Sequence, residues 1–125
     1  MIGFMFRRIL GGMLDIVYPK ICLACKGKLN SSSVEGLICK ECWQKIKKNT
    51  PPFCRSCGRG LKKENFHKSI CPACQKTKLY FDRAFSPCVY EGVIKELIGA
   101  FKYRQKEHLG QLLSGLMTEF VKEFQ

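Results

Sequence analysis

Cys22-Leu23-Ala24-Cys25, Cys39-Lys40-Glu41-Cys42, Cys54-Arg55-Ser56-Cys57 and Cys71-Pro72-Ala73-Cys74 decide how this chain folds. Thirteen residues separate the first pair from the second and thirteen the third from the fourth, whereas eleven lie between the middle two. That is an internal repeat, two copies of one pattern joined through Asn49-Thr50-Pro51-Pro52. A Cys-x-x-Cys turn aims two sulfurs at one centre while backbone N–H groups approach them. A small residue behind the turn eases that approach, and Gly58 follows Cys57 directly, with Gly27 close behind Cys25. Two such turns supply four thiolates, the set that suits the tetrahedral preference of zinc.

The spacing therefore predicts two structural Zn²⁺ ions. The tandem pairing, with its shorter loops, places one on Cys22, Cys25, Cys39 and Cys42 and the other on Cys54, Cys57, Cys71 and Cys74. An interleaved pairing and single-iron sites of similar geometry stay open at this level. Closed thiolate sites are structural, because a catalytic zinc keeps a position for water. His67 and His108 have no ligand-like spacing to any pair and read as surface residues. Cys88, the ninth cysteine, sits in an apolar run and reads as a small buried hydrophobe.

Disulfides are the other use of so many cysteines in 125 residues, and they need an oxidising compartment. The opening Met1–Leu10 stretch is apolar but is interrupted by Arg7 and Arg8, and no small-residue cleavage site follows before Pro19. No run approaches the roughly 18 to 20 apolar residues of a membrane span. The expectation is a cytoplasmic protein with reduced, metal-bound thiols.

Outward from the cysteines the chain falls into three parts. Residues 1–18 carry Phe6, Ile9, Leu10, Met13, Leu14 and Val17 at helical spacing, an amphipathic helix ended by Pro19 and suited to docking on a neighbouring domain. Residues 19–80 form the double metal unit (22–42 and 54–74), with a short helix over Glu41–Lys48. Residues 81–125 read as a strand over Phe85–Tyr90, a helix from Val93 to Tyr103, and a second helix with Leu109, Leu112, Leu113, Leu116, Met117, Phe120, Val121 and Phe124 on one side. One strand and two helices cannot cover so broad an apolar face. A protein partner or a further C-terminal domain is expected over the last helix, so the segment reads as truncated.

Charge adds a third expectation. The net charge is +12, and residues 1–80 hold all of the excess, 16 Lys/Arg against 4 Asp/Glu; residues 81–125 hold six of each. Each four-thiolate zinc contributes −2 and still leaves the cysteine-rich part basic. Such a surface fits single-stranded DNA or another nucleic acid, with Lys45, Lys47, Lys48, Lys62 and Lys63 to meet phosphates and Trp43, Phe53 and Phe66 available for stacking. A solvated surface that offsets the thiolate charge is the alternative.

The order of further features resembles the amino-terminal part of the ComF family, competence-associated proteins similar to amidophosphoribosyltransferases. Leu14-Asp15-Ile16-Val17-Tyr18-Pro19 precedes the first knuckle, and Pro52-Phe53-Cys54-Arg55-Ser56-Cys57-Gly58 carries the third. Phe81-Asp82-Arg83-Ala84, Tyr90-Glu91-Gly92-Val93-Ile94-Lys95-Glu96-Leu97-Ile98 and Phe101-Lys102-Tyr103-Arg104 follow. The resemblance implies a double zinc ribbon followed by an incomplete α/β, phosphoribosyltransferase-like segment, in a protein linked to DNA uptake and natural transformation. The sequence departs from that fold in one respect. It has no apolar strand leading into two acidic residues and a Thr/Gly-rich turn, the loop that cradles phosphoribosyl pyrophosphate. No catalytic or cofactor-binding residue is assigned, and phosphoribosyl transfer is not expected from this chain alone.

Overall fold

In the computed structural model, described here for residues 20–125, the two cysteine units fold as copies of one ribbon offset by 32 residues, which maps Cys22 onto Cys54 and Cys42 onto Cys74. The backbone repeats bond for bond. Cys22 N–H donates to Gly27 O (2.7 Å) and Cys54 N–H to Arg59 O (2.8 Å). Lys26 N–H reaches Cys22 O and Gly58 N–H reaches Cys54 O (2.9 and 3.0 Å), closing each knuckle. Leu23 N–H bonds Leu37 O and Arg55 N–H bonds Ser69 O (3.0 and 2.9 Å), bringing the second knuckle of each ribbon back to the first. Single antiparallel bridges, Ile21 with Lys28 and Phe53 with Gly60, complete the likeness. The expected amphipathic helix over residues 1–18 lies outside the described residues.

Each second knuckle opens a one-turn helix: α1 (Lys40–Gln44) after Cys39, and α2 (Pro72–Lys76) after Cys71. The expected helix to Lys48 stops at Gln44, because the chain beyond it is drawn into extended pairing. Val89 N–H donates to Lys47 O, Asn49 N–H donates to Pro87 O (both 2.9 Å), and Lys48 bridges Cys88. That single bridge is all that forms of the strand expected over Phe85–Tyr90. Pro87 has no N–H to give, and no second strand is present among the described residues to extend a ladder.

The two expected helices form where the apolar period placed them, as α3 (Val93–Tyr103) and α4 (Leu109–Phe124). α3 buries Ile94, Leu97 and Ala100, and α4 buries Leu109, Leu112, Leu116 and Phe120, each a stripe at three- and four-residue spacing. The Arg104 guanidinium folds back on α3, donating to Glu96 O at 3.1 Å.

The chain divides into two compact units between Lys45 and Ile46. The first holds the first ribbon, and the second holds the second ribbon together with α3 and α4. The division does not fall at the change of composition near residue 80. Two side chains explain why. Phe53, beside the third knuckle, packs edge-on against Phe124 and tilted against Phe120 of α4, with ring centroids 5.2 and 5.4 Å away. Asn49, the one buried polar residue among the described residues, donates to Gly58 O (2.8 Å) and Ser86 O (2.9 Å) and accepts from Gly60 N–H (2.9 Å). Among the described residues, no helix is long and apolar enough to cross a membrane.

Candidate metal centres

Eight cysteines converge as two sets of four, Cys22, Cys25, Cys39, Cys42 and Cys54, Cys57, Cys71, Cys74, with the sulfurs of each set within 4.8 Å of one another. The sulfurs group in tandem and do not interleave. Local structure builds each set in the same way. The first knuckle is a backbone-closed turn, and the second places its leading cysteine, Cys39 or Cys71, at a helix N-cap and its trailing one on the first turn. Backbone N–H groups point at the sulfurs: Ala24 to Cys22 (3.4 Å), Gly27 to Cys25 (3.4 Å) and Cys71 to Cys54 (3.2 Å).

The spacing of the sulfurs tests which centre fits. A zinc–thiolate bond of about 2.3 Å in a regular tetrahedron puts neighbouring sulfurs about 3.8 Å apart. The observed edges are 3.9 Å for Cys25 to Cys39 and 3.8 Å for Cys57 to Cys71. A disulfide would bring the pair to about 2.05 Å. The two sets fit two structural zinc ions.

Proton affinities carry the same message. Burial raises Cys22 and Cys54, but the backbone N–H groups aimed at them outweigh it and hold both at about 6. Burial, reinforced by hydrogen bonds from neighbouring sulfurs, pushes Cys42 and Cys74 up to about 12. Four sulfurs crowded together accept one negative charge readily and resist the last. A divalent cation at the centre reverses that resistance.

The remaining sequence candidates are placed as follows. His67 and His108 are exposed and belong to neither set. Cys88 is buried outside both, and burial pushes its thiol up. Lys47 pairs with Glu91, and Lys48 with Glu119 at 3.0 Å, whereas Lys62 and Lys63 make no ion pair among the described residues. Phe66 is half exposed, and Phe53 is engaged by α4. The sequence reading missed Asn49. A single Asn ahead of Thr50-Pro51-Pro52 carries no signal beyond its place at the connector.

Residues 13–75, half of the chain, match the family model of the double zinc ribbon domain. No curated protein and no solved structure matches the chain.

Proposed function

The chain belongs to the double zinc ribbon family, and from that premise we propose that its two zinc-organised ribbons are a binding module for single-stranded nucleic acid. The loop between the knuckles of the second ribbon carries the reading. Lys62, Lys63 and Lys68 stand on it beside the half-exposed Phe66, and Glu64 is its single carboxylate. None of the three lysines is ion-paired among the described residues. Unpaired ammonium groups beside an exposed ring suit a strand that offers phosphates on one side and an unstacked base on the other. Lys47 and Lys48, already paired with carboxylates, contribute less.

Fluorescence anisotropy with a labelled oligothymidylate tests this. Binding is expected to weaken with a log–log salt slope of about −0.7 per phosphate met, and Lys62→Glu with Lys63→Glu is expected to weaken it further at low salt. Absence of binding at low salt, or a flat slope, overturns the proposal.

A finer reading places the module at the front of a ComF-like competence protein engaged in DNA uptake, with residues 81–125 opening a phosphoribosyltransferase-like domain. The outer face of the helical pair favours it. Phe101 is 40 %, Met117 60 % and Val121 50 % exposed on α3 and α4, an apolar strip that a further α/β layer or a protein partner would cover. A coding sequence for an acidic pair and a Thr/Gly-rich turn beyond codon 125 is expected on this reading. A stop codon directly after it removes the transferase-like part and leaves the binding module.

A further inference from the structure

We propose that the two zinc sites are inequivalent. The site of Cys22, Cys25, Cys39 and Cys42 is exchangeable and gives its metal to a competing thiolate acceptor through the Cys25–Cys39 edge, while the second site keeps its metal. Three observations carry this.

The first is access. Cys25 is exposed and Cys39 half-buried, and they form one edge of the sulfur tetrahedron. In the second site no cysteine is exposed, and the equivalent edge joins half-buried Cys57 to buried Cys71. Zinc can take a fifth ligand, so substitution starts at the edge an incoming sulfur can reach. Cys25 Sγ would give up its place on the metal to the acceptor's sulfur, and the proton released by the acceptor thiol would end on Cys25.

The second is backbone strain. The residue behind each first knuckle is left-handed in both ribbons, at φ 73° for Gly58 and φ 65° for Lys26. Glycine occupies that region without penalty, whereas a lysine there is strained by an amount equivalent to about tenfold in a rate. Opening the first knuckle relieves that strain.

The third is support. Ile38 is the only buried apolar side chain besides cysteine among the described residues of the first unit. The second ribbon is braced by the Phe53–Phe120–Phe124 cluster and the Asn49 hydrogen bonds. Local opening costs least where few buried contacts resist it.

The test uses the full chain, with its zinc content first measured as two. The dithiol 2,3-dimercaptosuccinate serves as acceptor, and N-ethylmaleimide traps freed thiols for peptide mass mapping. Two phases of zinc loss are expected, the first at least about tenfold faster, with label in the fast phase confined to Cys22, Cys25, Cys39 and Cys42. Loss of both ions at one rate overturns the proposal, as does early label on Cys54, Cys57, Cys71 or Cys74.

Discussion

The side-chain amide of Asn49 donates to the main-chain carbonyl of Gly58 at 2.8 Å, so the residue ahead of the proline connector is tied to the turn that carries the third knuckle. The same amide nitrogen donates to Ser86 O, and its oxygen accepts from Gly60 N–H. One buried side chain thus satisfies three main-chain groups from two segments. Asn49→Ala leaves those groups without partners and is expected to destabilise the second unit by about 3 kcal/mol. Asn49→Asp is expected to do no better, since a carboxylate cannot donate to two carbonyls. Urea unfolding at saturating zinc measures both, and a loss below about 1 kcal/mol for Asn49→Ala would contradict this role.

Gly58 is constrained twice. Its φ of 73° disfavours a side chain, and a Cβ there would lie 2.4 Å from Ala84 O and 2.8 Å from Phe85 Cα, both main-chain atoms that cannot swing aside. Gly58→Ala is expected to cost on the order of 2–5 kcal/mol. The equivalent change in the first ribbon runs the other way. Lys26→Gly relieves a left-handed lysine and is expected to stabilise that ribbon by at most about 1 kcal/mol, part of the gain being offset by the freer unfolded chain. Thermal unfolding of the two variants should move in opposite directions; a shared direction would refute the equivalence of the two positions.

These positions mark where the sequence is legible. The eight ligands can be read from spacing because a tetrahedral thiolate centre tolerates few spacings, whereas their tandem grouping, favoured there only by shorter loops, is decided by where the sulfurs meet. α3 and α4 can be read because their buried stripes repeat at the helical period. The apolar run at Phe85–Tyr90 suggests a strand, yet a strand exists only with a partner, and partners are not written locally. The compact unit joining the second ribbon to α4 is equally hidden, since it depends on Asn49 and Phe53 meeting groups tens of residues away. The repeat itself misleads on one point: Gly27 looks like the counterpart of Gly58, but the offset of 32 puts Lys26 in the left-handed position.

Each site should bind its own zinc. Replacing Cys22 and Cys25 together with Ser is expected to lower the zinc content from two to one, and replacing Cys54 and Cys57 to do the same, because the two sulfur sets share no ligand. Elemental analysis of the purified variants checks this. Loss of both ions from the first variant would mean that the sites are coupled.

Zinc affinity should rise steeply with pH. In the metal-free chain Cys42 and Cys74 are held at about 12, and Cys39 and Cys57 are also raised. These thiols carry protons at neutral pH, so binding must release at least two protons per zinc. The sign follows: raising pH removes the protons that compete with the metal, and acidification favours the metal-free chain. Log affinity is expected to climb by at least about two per pH unit near neutrality. Chelator competition at several pH values measures the slope, and a value below one would show that the thiols were already ionised.

Phe53 offers the most discriminating substitution, because it belongs to a ribbon by sequence and to a helix by contact. Its ring meets Phe120 and Phe124, which also meet each other at 5.1 Å, so removing it opens a three-ring cluster. Phe53→Ala is expected to cost about 2–3 kcal/mol, less than a fully buried phenylalanine because part of the side chain stays exposed. The loss should concentrate in α4, whose last two turns rest on that ring, while Cys54 and its three partner sulfurs still hold zinc. Faster amide exchange across Phe120–Phe124 with zinc content unchanged at two is the expected pair of results, and Phe53→Leu should restore much of the protection. If Phe53→Ala instead released the second zinc and left α4 protected, the ring would belong to the knuckle and not to the packing of α4.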